Sequence, residues 1–196
     1  MHRLRRLPVL LTWLLISFTA AAKTVVIDAG HGGHDRGGGP RQKIPEKPYA
    51  LDVAQRLQRV LQAAGYKTVM TRSGDYFVSL GGRVVIANKY RDAVFVSIHF
   101  NSAPRVGADG IETYYYSSRS AKLASAIHSQ VVATARTENR GVRKRGFYVI
   151  RNTKIPSVLC ELGFLTNPAE GKKVSTSSAY RQALAEAVAR GVMRAY

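Results

Sequence analysis

Three apolar runs in this sequence are too short for helices, and each ends in residues that can do chemistry. Thr24–Asp28 (TVVID) enters a loop with six glycines among residues 30–39. Ala93–Ile98 (AVFVSI) enters His99-Phe100-Asn101, and Ser157–Glu161 (SVLCE) continues into Leu162-Gly163-Phe164. Short apolar runs bounded by turn residues read as buried strands. Amphipathic stretches lie between them. Pro45–Ala64 repeats Leu51, Ala54, Leu57, Val60 and Leu61 at helical spacing, with Gly65 as its stop. Ser79–Tyr90, Arg119–Arg136 and Ser178–Arg194 are three further helices, and Tyr66–Thr71, Gly110–Tyr116 and Phe147–Ile150 three further strands. Strands interleaved with helices predict an α/β fold, a largely parallel sheet with some antiparallel pairing and helices on both faces. No repeat, heptad run or linker divides the chain, so residues 23–196 are expected to form one domain.

Composition limits the setting. The 196 residues hold 30 Lys+Arg against 12 Asp+Glu, a net charge of +18, with 45% hydrophobic residues and a single Cys. That apolar content excludes a disordered chain, and one Cys excludes an intramolecular disulfide or a zinc–thiolate cage. The charge calls for an anionic partner: nucleic acid, a membrane surface or an acidic polymer. Residues 1–22 combine Arg3, Arg5 and Arg6, an apolar stretch from Leu7 to Phe18, and Ala20-Ala21-Ala22 before Lys23. This is the pattern of a secretory signal peptide, too short to remain as a membrane anchor. Its removal leaves +15 on the mature chain. Export makes nucleic acid a poor partner and cell-wall polymer a good one, with the protein placed in a periplasm or outside the cell.

Open α/β sheets carry their sites beyond the carboxyl ends of their strands. There this sequence gathers His31, His34 and Asp35 after the first strand, His99 after the third and Glu161 on the last, with Glu46 opening the first helix. Two or three imidazoles and a carboxylate from separate elements meet the needs of a catalytic zinc, which takes three protein ligands and keeps a position open. The glycine loop has neither G-x-G-x-x-G nor G-K-[ST], so nucleotide-loop readings lack their mechanism. Glu46 has a simpler role available at a helix N-terminus. A charge such as Glu161 within VLCELGF needs a partner. Strand alternation turns Cys160 away from Glu161 and into the core, which argues against a thiol enzyme.

The segments VVIDAGHGGHDRG, Glu46-Lys47, TRSGDYFVSLGGRVVIAN, SIHFNSAP and RGVRKRGFYVIRNTKIPSVLCELGFLTNP, together with the closing helix, resemble the zinc-dependent N-acetylmuramoyl-L-alanine amidases. The resemblance runs in order from about residue 24 to residue 196. It implies cleavage of the amide between N-acetylmuramic acid and L-alanine in peptidoglycan, and a mixed sheet of about six strands. It also implies His31, Glu46 and His99 as Zn2+ ligands and Glu161 as the catalytic glutamate, with His34 a second choice of ligand. Pro48 stands where similar proteins carry Asp, and Gly39-Pro40-Arg41-Gln42 departs from the usual loop. Some relatives insert a plugging helix that an activator removes. Here Gly110–Tyr116 runs into the helix at Arg119 with almost nothing between, so no obligate activator is expected; the protein is also expected to be a monomer. A wall-binding module without turnover and a zinc peptidase are the alternatives. The basic run Arg140, Arg143, Lys144, Arg145 and Arg151 reads either as a solvated loop or as a contact for stem-peptide carboxylates or anionic wall polymer.

Overall fold

The computed structural model describes residues 22–39, 42–105 and 107–196. The signal expected over residues 1–22 lies, but for Ala22, outside them. Among the described residues no helix is long and apolar enough to cross a membrane.

Six strands form one sheet: β1 (Thr24–Ala29), β2 (Lys67–Met70), β3 (Ala93–Asn101), β4 (Ile111–Tyr115), β5 (Asn139–Lys144) and β6 (Ser157–Phe164). Their order is β2-β1-β3-β6-β4-β5. The first four in that order are parallel, β4 runs antiparallel to β6, and β5 is parallel to β4. The helices are α1 (Lys47–Ala63), α2 (Leu80–Asn88), α3 (Ala121–Ala135), α4 (Tyr148–Asn152), α5 (Pro168–Thr176) and α6 (Ser178–Ala195). The α/β class, the mixed six-stranded sheet and its two covered faces are as the sequence implies.

Strand alternation sorts the apolar residues into two cores. Val25, Ile27, Val94, Val96, Ile98, Val158 and Cys160 pack with residues of α1, α3 and α6. Val26, Phe95, Tyr114 and Leu159 face the other way, onto the short α4 and the end of α2. That second face is thinly covered, and its alternation continues into Asp28, Ser97, His99, Glu112 and Glu161. The site therefore occupies the upper part of a face whose lower part is core.

Two segments differ from the sequence reading. Phe147–Ile150 is not a strand; it enters α4, which buries the adjacent Val149 and Ile150 together. A strand would turn one of that pair to each face, whereas a helical turn directs both inward. The place beside β4 is taken instead by β5, which carries Arg140, Arg143 and Lys144 of the basic run, for which the sequence offers a solvated loop or a contact surface but no strand. None of its residues is fully buried, so an edge strand of this kind has no apolar alternation to announce it. Helix α5 also escaped notice, although Asn167 and Pro168 are a good start signal: the Asn167 side chain accepts from the N–H groups of Ala169 and Glu170. Pro48 sits in the first turn of α1, where it removes no helical hydrogen bond.

Candidate metal centre

The centre is assembled from three elements. Strand β1 ends at Ala29, and the chain turns through Gly30 to His31, which has a left-handed backbone at φ 60°. For a residue with a Cβ that conformation needs support from its surroundings. Two buried arginines supply it by donating to successive loop carbonyls. Arg72 reaches Ala29 O at 2.9 Å and Gly30 O at 2.7 Å; Arg83 reaches Ala29 O at 2.6 Å and His31 O at 2.7 Å. Arg83 is paired at 2.7 Å with Asp28, which also accepts from Thr71 and Ser97, each at 2.6 Å. Burial alone would raise the Asp28 carboxyl, but the Arg83 charge and the two hydroxyls hold it below its ordinary value. Sequence reasoning assigned this network no role. Its signal was Arg83 on the inner side of a short helix otherwise packed through Val84 and Ala87.

The glycine loop returns to α1 through Arg36 O, which accepts from the N–H groups of Glu46 and Lys47 at 2.9 and 3.2 Å. Glu46 is 3% exposed and does not cap the helix with its side chain, so the simpler role fails. Its carboxylate instead bridges the histidines: Oε1 lies 2.8 Å from His99 Nδ1 and accepts from Phe100 N–H at 2.9 Å, while Oε2 lies 3.0 Å from His31 Nε2. The other imidazole nitrogen of His31, Nδ1, meets Asp35 Oδ2 at 2.8 Å. A carboxylate behind a ligand imidazole fixes its ring orientation and turns Nε2 toward the centre. Burial would raise Glu46, but His99 and His31 outweigh it and bring the carboxyl down to about 2. For His99 burial acts downward, and Glu46 reverses it, lifting the imidazole to about 9.

Ligand atoms of His31, Glu46 and His99 all lie within 4.8 Å of one another, a group that could hold a metal ion. His34 is not part of it; that ring is exposed and packs on Phe77 at 4.2 Å between centroids. Glu161 pairs in register with His99 across β3 and β6, and with Glu112 across β6 and β4. Its Oε2 is buried with no hydrogen-bond partner. Burial pushes its carboxyl up to about 8, a rise that His99 opposes and that Glu46 and Glu112 reinforce. Cys160 faces the helical core, and burial drives its thiol well above the ordinary range. Buried in that apolar cluster, the thiol lacks the access and the polar surroundings that a nucleophilic cysteine needs.

The glycine of the first turn is required by closeness. A Cβ on Gly30 would lie 2.4–2.7 Å from three atoms of the His99 ring. Gly30→Ala should fold, displace His99, and weaken metal binding by about tenfold or more. Isothermal titration with zinc alongside a thermal melt checks both parts.

Two imidazoles and a carboxylate gathered at the carboxyl-end edge of the sheet, beside a second carboxylate with a free buried oxygen, form a candidate metal centre of the kind found in hydrolases of α/β architecture. Comparison with known proteins specifies which. The family model described as N-acetylmuramoyl-L-alanine amidase matches residues 25–194. The chain is 42% identical over 174 residues to YqiI of Bacillus subtilis (strain 168), covering 87% of this chain and 83% of that protein. It is 35% identical over 172 residues to LytH of Staphylococcus aureus, named a probable cell wall amidase, of whose length it spans 57%. The catalytic domain of CwlV, the N-acetylmuramoyl-L-alanine amidase of Bacillus (Paenibacillus) polymyxa var. colistinus, superposes with a TM-score of 0.83 at 37% identity, over 88% of this chain and 97% of that one. The chain belongs to the N-acetylmuramoyl-L-alanine amidase family, hydrolases of cell-wall peptidoglycan acting outside the cytoplasm.

Proposed function

We propose that residues 23–196 are a catalytic domain that hydrolyses the amide joining N-acetylmuramic acid to L-alanine, in the periplasm or outside the cell after loss of residues 1–22. The supporting observation is the unpartnered buried Oε2 of Glu161 beside a group of two imidazoles and one carboxylate. That donor set fits zinc, which His31, Glu46 and His99 would hold. When bound, the ion supplies Lewis acidity, polarising the amide carbonyl and making water acidic enough to attack near neutral pH. The chain's own residues do the rest. Glu161, whose raised carboxyl would ionise in the field of a cation held by the neighbouring ligands, takes the proton of the attacking water at its free oxygen and returns it to the departing amine of L-alanine. Asp35 holds the His31 ring in its tautomer, and Arg72 and Arg83 hold the turn that carries it. Between β4 and α3 the chain has only Tyr116, Ser117 and a single 3-10 turn at Ser118–Ser120. This supports a domain active without an activator.

Purified protein should contain stoichiometric zinc by elemental analysis, lose it in His31→Ala and His99→Ala, and release intact stem peptides from peptidoglycan by mass spectrometry. Chelation should abolish release, and added zinc restore it. Fragments cut within the stem would favour the peptidase reading. Cleavage of walls only after an activator is added would overturn the uninhibited domain.

A further inference from the structure

The mechanism accounts for one side of Glu161 and leaves the other unused. From β6 outward on the same sheet face come Glu112 on β4 and then Arg140 and Arg143 on β5. Glu112 pairs in register with Glu161, and Arg143 follows two places further, paired with Tyr114 and through it with Leu159. Leu159 lines the cleft of about 190 Å3 that also reaches His31 and His99. The two arginines are not equivalent. Arg140 is engaged with Glu112 at 3.0 Å and Glu138 at 3.1 Å. Arg143 is tied at its root by Nε, which donates to Arg140 O at 3.1 Å. Its Nη1 lies 3.7 Å from Glu112, too far for a hydrogen bond, and its side chain is 43% exposed. Among the described residues neither terminal nitrogen has a hydrogen-bond partner, so both are left to pair with a ligand.

We infer that Arg143 binds the first free carboxylate of the stem peptide and makes the enzyme select for it. This rests on the amidase reading above and deepens it. The residue after L-alanine in a stem peptide is a D-glutamate linked through its side chain, so its α-carboxyl is either free or capped as an amide. That carboxyl lies about two residues, ~7 Å, from the scissile nitrogen. Adjacent strands are spaced by about 4.8 Å, so Glu112 stands one strand from its register partner Glu161, and Arg143 Nη1 lies 3.7 Å from the Glu112 carboxylate. The reach of the peptide therefore suits the position of the fork. A guanidinium offers two parallel N–H donors to a carboxylate and loses the pairing when an amide replaces it.

Zinc-loaded wild type, Arg143→Gln and Arg194→Gln are compared on two soluble peptidoglycan preparations, one with free α-carboxyls at the second residue and one with these amidated. Arg194 is exposed on α6, on the opposite side of the sheet, and serves as the charge control. Wild type and Arg194→Gln should prefer the free carboxyl by about tenfold in kcat/KM. Arg143→Gln should lose that preference through KM on the carboxylate substrate, with its rate on the amidated one unchanged. Equal loss on both substrates, or an undiminished preference, overturns the assignment while leaving the amidase intact. A wild type that releases no peptide from either overturns the amidase reading and this assignment with it.

Discussion

Glu161→Gln is expected to bind zinc as the wild type does and to lose about 10²- to 10⁴-fold in kcat. The substitution keeps size and buried contacts but removes the group that can accept a proton. Neither Glu161 oxygen belongs to the metal-holding group, and Oε2 makes no hydrogen bond, so the loss should not arise from refolding around it. Elemental analysis and muropeptide release measured on the same preparation provide the two readouts. Loss of zinc together with turnover would make Glu161 a ligand; retained turnover would remove it from the chemistry.

The largest effect on stability should come from a residue outside the metal-holding group. Arg83→Ala would leave the Asp28 carboxylate buried without its charge partner, a change that costs about 3–5 kcal/mol. It would also release the carbonyls of Ala29 and His31, so metal affinity should fall as well. Denaturant unfolding of the metal-free protein separates the stability effect from any zinc contribution. The pH dependence has a definite sign. Asp28 is held below its unfolded value, so the stability it contributes is complete above about pH 4 and is lost as pH falls through the folded value. Removing Arg83 should raise the Asp28 pKa and move the acid limb of the stability profile to higher pH. An unchanged acid limb would show that the two hydroxyls alone hold the carboxylate.

Much of the site is legible in one dimension because each chemical group follows a recognisable strand. Asp28, His99 and Glu161 belong to apolar runs whose alternation declares them as strands, and the rule that α/β sites gather at carboxyl ends brings those runs together. Glu46 was harder. Its sequence position suits a helix N-terminus equally well, and only the contacts of its two oxygens with His31 and His99 decide between capping and bridging. His34 was no worse a ligand than His31 by residue type. The left-handed turn at His31, held by Arg83, directs one ring inward and leaves the other on Phe77. Strand β5 and helix α4 were misread because local pattern reports burial, and an edge strand of charged residues has little burial to report.

By itself the sequence determined the α/β class, the strands that carry the chemistry and the family, since apolar periodicity and the spacing of motifs are local and survive without coordinates. Tertiary structure decided which imidazoles meet one carboxylate and why His31 keeps a left-handed backbone. It also decided that Arg143 stands beside Glu161's row. Those facts depend on pairings between β1 and β3, β3 and β6, and β4 and β5, elements far apart along the chain whose registers are set by packing both faces of one sheet. The three apolar runs named the groups, and the sheet gave them their neighbours.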